Sequence, residues 1–82
     1  MEWPDWWEWE LEISTHCIKR MEERVFQEAD LRAMLEDAKG LFEQVHGTFV
    51  VETQLGGCPW EVILSLDRQK QVLVVVTAYP NP

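Results

Sequence analysis

The sequence predicts an α+β domain: two N-terminal helices packed on one face of an antiparallel sheet, in the order β-α-α-β-β-β. Three observations lead there. Val72–Val76 is apolar at five consecutive positions, four of them β-branched, which suits a central strand with cover on both faces. Residues 48–54 and 59–66 alternate apolar and polar side chains and flank Gly56-Gly57, a hairpin signal. Residues 16–39 instead place their apolar positions at helical spacing.

The N-terminal stretch, residues 1–10, is an acidic arm holding four of the five tryptophans, Trp3, Trp6, Trp7 and Trp9. From Trp7 the pattern alternates, with Trp7, Trp9, Leu11 and Ile13 on one side and Glu8, Glu10 and Glu12 on the other. That period describes a half-buried strand whose glutamates discourage edge-to-edge pairing. Two readings of the arm stay open. Its tryptophans cap the core, or Trp3, Trp6 and Trp7 dock on a partner, since exposed tryptophan is costly unless used.

Ser14 or Thr15 can cap a first helix starting near His16. Cys17, Ile18, Met21 and Val25 form its expected buried stripe. His16, Arg20 and Arg24 recur every four residues, within about 80° of the helical wheel, and flank that stripe. A break is expected around Val25–Phe26. A second helix follows from about Glu28 to Lys39, with Leu31, Met34, Leu35 and Ala38 inward and Gly40 as its stop. Leu41–Val45 then enters a strand, and His46-Gly47 is a turn or bulge within it. Asp67–Lys70 is a polar turn before the last strand, Gln71–Pro80. Residues 11–82 are expected to form a single domain.

Composition narrows the function. The chain has 82 residues and a formal net charge of −8. Residues 1–12 hold five acids and no base, which leaves ten acids against seven bases in the remainder. That balance opposes non-specific nucleic-acid binding and suits a basic protein partner. The N-terminus lacks the basic and apolar regions of a signal peptide, and no stretch is long and apolar enough to cross a membrane, so a cytoplasmic location is expected. Cys17 and Cys58 have no metal-ligand spacing and are expected to be free thiols. No cofactor or metal is expected.

Ser14-Thr15-His16, Lys19-Arg20-Met21, Arg24 and Asp30-Leu31, taken with the C-terminal VLVVVTAYP, resemble a family of small prokaryotic domains of unknown function. Its hallmark is a His-x-x-x-Arg-Met-x-x-Arg helix and a final Val-Thr-x-Tyr-like strand. That family is similar to the RelE-like part of the barnase, EndoU, colicin and RelE group, many of whose members are metal-independent ribonucleases acting as toxins beside a cognate antitoxin. The resemblance covers roughly residues 11–80. It implies a RelE-like fold and a site of His16, Arg20, Arg24 and Tyr79, with Thr77 and Lys19 binding RNA. Three features depart from it. Val25 stands where the family usually has glycine, so the two helices are expected to join differently. Gln27 replaces a Ser or Thr cap, and the chain is acidic where such toxins are basic.

The chemistry suits those residue types. RNA cleavage without metal needs a base for the 2′-hydroxyl, a cation for the phosphorane and an acid for the leaving 5′-oxygen. Histidine exchanges protons near neutral pH, and arginine holds phosphate while keeping its charge. Plainer roles exist for each residue. His16 can be a capping or surface residue. Arg20 can pair with Glu23 and Arg24 with Glu28. Tyr79 can close the core rim, and His46 can be a solvated turn residue. The competing function is a non-catalytic acidic module that binds a basic protein surface, as an inhibitor or nucleic-acid mimic.

Overall fold

The computed structural model describes residues 3–45 and 47–81. A short 3₁₀ turn at Asp5–Glu8 leads into β1 (Glu10–Ile13), then α1 (Thr15–Arg24) and α2 (Glu28–Glu36). Four strands follow: β2 (Gly40–Val45), β3 (Thr48–Leu55), β4 (Cys58–Asp67) and β5 (Val72–Pro80). They form one sheet in the order β1-β5-β4-β3-β2. The expected α+β arrangement of helices on a sheet holds, and the apolar run 72–76 is an interior strand as its composition demands.

Two details of the sheet differ from expectation. Four strands follow the helices instead of three, because Val45 pairs with Thr48 across a two-residue connection. Gly47 sits there at φ 80, where a side chain would be strained. The stretch 41–54 is therefore a hairpin, not one interrupted strand. The sheet is also mixed. β2 to β5 form an antiparallel meander, but β1 lies parallel to β5 with Leu11 opposite Leu73 and Ile13 opposite Val75. A helix pair that leaves one edge of the sheet and returns at the other permits that pairing.

One face of the sheet carries the core. Val51, Trp60, Val62, Leu64, Leu73, Val75 and Ala78 are buried there against Cys17, Phe26, Leu31, Met34 and Leu35 of the helical layer. Burying side chains of that size contributes about 1.5–3 kcal/mol each. Thr53, the buried polar residue of this face, donates its hydroxyl to the Met34 carbonyl. Phe26 meets Trp60 edge-on at a centroid distance of 5.2 Å.

The helices depart from the sequence reading at their margins. Only Cys17 of the expected α1 stripe is fully buried; Ile18 is 49% and Val25 88% exposed. α2 ends at Glu36, and Gly40 opens β2 instead of stopping the helix. A Cβ on Gly40 would lie 3.1 Å from both the Phe42 ring and a Glu52 oxygen, so close packing explains the glycine. The strand expected from Trp7 begins at Glu10, because residues 5–8 turn.

Candidate functional site

α1 is fastened to β5 at both ends. Ser14 caps the helix by accepting from the Cys17 N–H at 3.0 Å, and the same hydroxyl donates to the Val76 carbonyl at 2.9 Å. The Ser14 N–H reaches the Val75 carbonyl at 3.0 Å. At the far end Arg24 Nη1 donates to the Ala78 carbonyl at 3.0 Å. β1 pairs with β5 only as far as Val75. The start and end of α1 therefore supply hydrogen bonds to carbonyls of β5 beyond the last paired residue of β1.

Arg20 and His16 stand on the same helical flank as Arg24, about one and two turns back respectively. His16 and Lys19 are exposed, and Arg20 pairs with Glu23 as its spacing allows. Glu28 pairs with Arg32 at 3.0 Å and not with Arg24. Cys17 lies under this flank, where burial pushes its thiol up and the nearby Arg24 charge opposes that. At a rise of about 1.5 Å per residue the row from His16 to Arg24 is about 12 Å long. It is shaped to follow a chain of groups more than to close on one atom.

Thr77 and Tyr79 point away from this row. Leu73 and Val75 belong to the covered face, and a strict period of two would have placed Thr77 and Tyr79 with them. The β4–β5 register shifts between Ile63 and Leu64: Leu64 faces Val75, but Ile63 faces Thr77 and Glu61 faces Tyr79. The extra residue at this bulge moves Ala78 onto the covered face and turns Thr77 and Tyr79 to the open one. There the Tyr79 hydroxyl donates to Glu61 Oε1 at 2.6 Å, while Asn81 Nδ2 donates to Glu61 Oε2 at 2.9 Å. The bond to Glu61, with burial and the carboxylate's charge adding to it, pushes the Tyr79 hydroxyl's pKa up. The expected constellation is thus divided. His16, Arg20 and Arg24 lie along the helix side of the β5 end, and Thr77 and Tyr79 project from its other face.

The tryptophans are seated on the fold. Trp6 packs on Phe49 at a centroid distance of 4.8 Å, Trp7 lies 6.2 Å from Trp6, and Trp3 stacks on Trp7 at 4.7 Å. Trp6, Trp7 and Trp9 all pack against the core. His46 lies outside the described residues.

Glu61 and Asn81 were not singled out from sequence. Glu61 is one of several glutamates at alternating positions, and its meeting with Tyr79 depends on the bulge. On the other flank of α1 a groove of about 620 Å³ is lined by Leu11, Ile13, Ile18, Met21, Val25 and Phe26, with Glu22, Gln27, Glu28 and Arg32. Among the described residues no three His, Cys, Asp or Glu side chains gather as a metal site would require. No described helix is long and apolar enough to cross a membrane.

A protein family described as a domain of unknown function, DUF4258, matches residues 13–81. No curated protein and no solved structure matches the chain.

Proposed function

Because the chain belongs to the DUF4258 family, whose function is unknown, its activity must be argued from its own side chains, and we propose that it is a RelE-like, metal-independent ribonuclease domain of the kind that acts as a toxin beside an antitoxin. The supporting observation is the hold of α1 on the β5 end through Arg24 and Ala78, which sets the His16, Arg20 and Arg24 flank beside Thr77's strand. In this reading His16 takes the 2′-hydroxyl proton as that oxygen attacks phosphorus. The bond to the 5′-oxygen breaks, a 2′,3′-cyclic phosphate forms, and the leaving oxygen takes a proton from solvent water. Arg20 balances the phosphorane charge, and Arg24 and Lys19 bind neighbouring phosphate oxygens along the row, while Thr77, on the other face of β5, takes no part. Arg20 must exchange Glu23 for phosphate, and Tyr79, held by Glu61 on the open face, lies outside this arrangement.

The test is RNA cleavage in EDTA by the purified chain. His16→Ala and Arg20→Ala should each lower the rate by about a hundredfold or more, the range for losing an acid–base group or a charge stabiliser. Intact RNA after prolonged incubation, or cleavage indifferent to both substitutions, overturns the proposal.

A second reading is favoured by the distribution of charge. None of the five strands contains a lysine or arginine. An acidic, non-catalytic module that binds a basic protein fits that segregation better than RNA binding does. The two readings meet if the partner is an antitoxin.

A further inference from the structure

The open face of the sheet can be laid out from its register. Phe42, Val50 and Ile63 sit side by side on β2, β3 and β4, and Val45 and Val74 lie in the next row. No helix covers them: Phe42 is 54% and Val45 62% exposed, and the other three are half-buried. Around this apolar middle the same face carries Glu10 and Glu12 on β1, Glu52 on β3, and Glu61 and Asp67 on β4. All seven lysines and arginines lie outside the strands, four on the helices and three in connections. At one end of the face a shallow groove of about 630 Å³ includes Ser65, Asp67 and Val74, with Arg68 of the β4–β5 turn at its side.

We infer that this open face is a docking surface for a basic amphipathic helix of a protein partner. The inference rests on the second reading, a basic partner, and is independent of whether the chain cleaves RNA. Charge decides among occupants. Nucleic acid and anionic lipid both bring negative charge to a face with five carboxylates. A second copy docked through this face would set those carboxylates against their own duplicates. A helix with an apolar stripe bordered by lysine or arginine satisfies both parts of the surface. Three strands about 4.8 Å apart give the Phe42–Val50–Ile63 row a width near 10 Å, about that of one helix. Glu61 is already oriented by Tyr79 and Asn81. Its exposed cross-strand neighbour Glu52 is a like charge directly opposite, an unfavourable pairing that an incoming cation would relieve.

The test uses the full ¹⁵N-labelled chain and a synthetic helical peptide of roughly four turns, with leucines on one stripe and lysines flanking it. A control peptide carries glutamate for lysine. The lysine peptide should shift the amides of Val50, Ile63 and Val74, and the control should not bind. Glu12→Lys with Glu52→Lys, both at exposed positions, should weaken binding by about tenfold or more and flatten its dependence on salt. Shifts confined to the Ile18 and Val25 groove would overturn the choice of face and leave a basic partner standing. Absence of binding at millimolar peptide, or equal binding of the glutamate control, would overturn both. Concentration-dependent dimers abolished by Phe42→Asp would identify a second copy as the occupant and also overturn the inference.

Discussion

Val25 ends α1 at φ 54 and ψ 57, a left-handed conformation that β-branched residues avoid. The Phe26 N–H reaches back to the Met21 carbonyl at 3.2 Å, so the helix closes as it would with glycine. The expectation that valine here would change the junction is therefore not met: the chain keeps the turn and accepts the strain. The reason lies next door. Phe26 is 4% exposed, and placing it against Trp60 fixes the path of the chain at Val25. The strain of a left-handed non-glycine residue is about 1–2 kcal/mol, and the added freedom of glycine in the unfolded chain offsets about 0.5–1 kcal/mol. Val25→Gly should therefore stabilise the domain by about 0.5–1 kcal/mol, because so exposed a side chain loses little burial. Urea unfolding measures this, and a lower midpoint for the glycine variant would contradict it.

At the scale of the element, the end of β5 shows what was legible in the sequence and what was not. The apolar run 72–76 marks an interior strand, and Gly56-Gly57 marks the β3–β4 hairpin, with both glycines at positive φ. His16, Arg20 and Arg24 do share a flank, since helical spacing alone sets that. The face of Thr77 and Tyr79 was not legible. It depends on one extra residue in the β5 register, and no glycine or proline near Val76 announces it. The same limit applies to Ile18 and Val25. Periodicity places them on the apolar side of α1 but does not say how far the sheet beneath extends. Gln27 could cap α2 in place of Ser or Thr because Asp30 accepts from its N–H at 2.8 Å, a local compensation. Ser14 joins helix to strand at the bulge, so it tests this element directly. Ser14→Ala removes the cap and the donor to Val76 together and should cost about 1–2 kcal/mol. Ser14→Thr, which keeps the hydroxyl, should recover most of it in the same denaturation assay. A loss below about 0.3 kcal/mol for the alanine variant would mean that solvent replaces both bonds and that α1 is held by Arg24 and packing alone.

For the whole molecule, the acidic arm separates two views of the N-terminus by the sign of one measurement. Trp6 on Phe49, with Trp7 beside it, extends the core beyond the strands, so the segment acts as a lid on the apolar layer. The same segment carries Glu2, Asp5 and Glu8, three of the acids behind the −8 charge. Deleting residues 1–8 thus has two opposed effects. It reduces self-repulsion, which favours the compact state, and it uncovers Phe49 and its neighbours, which disfavours it. Losing the three half-buried indoles of Trp3, Trp6 and Trp7, the last two packed on the core, should cost about 2–4 kcal/mol, whereas three surface-type charges contribute a few tenths each. The deletion should therefore lower the thermal midpoint by roughly 10 °C or more, at about 4–8 °C per kcal/mol for a domain of this size. Asp5→Asn with Glu8→Gln in the full chain isolates the charge effect and should leave the midpoint unchanged or slightly raised. Added salt should narrow that small gain without rescuing the deletion. An arm that serves only to dock a partner predicts the opposite: truncation would leave the midpoint in place and abolish partner binding. A full-length midpoint after deletion would remove the tryptophans from the core and return them to the partner.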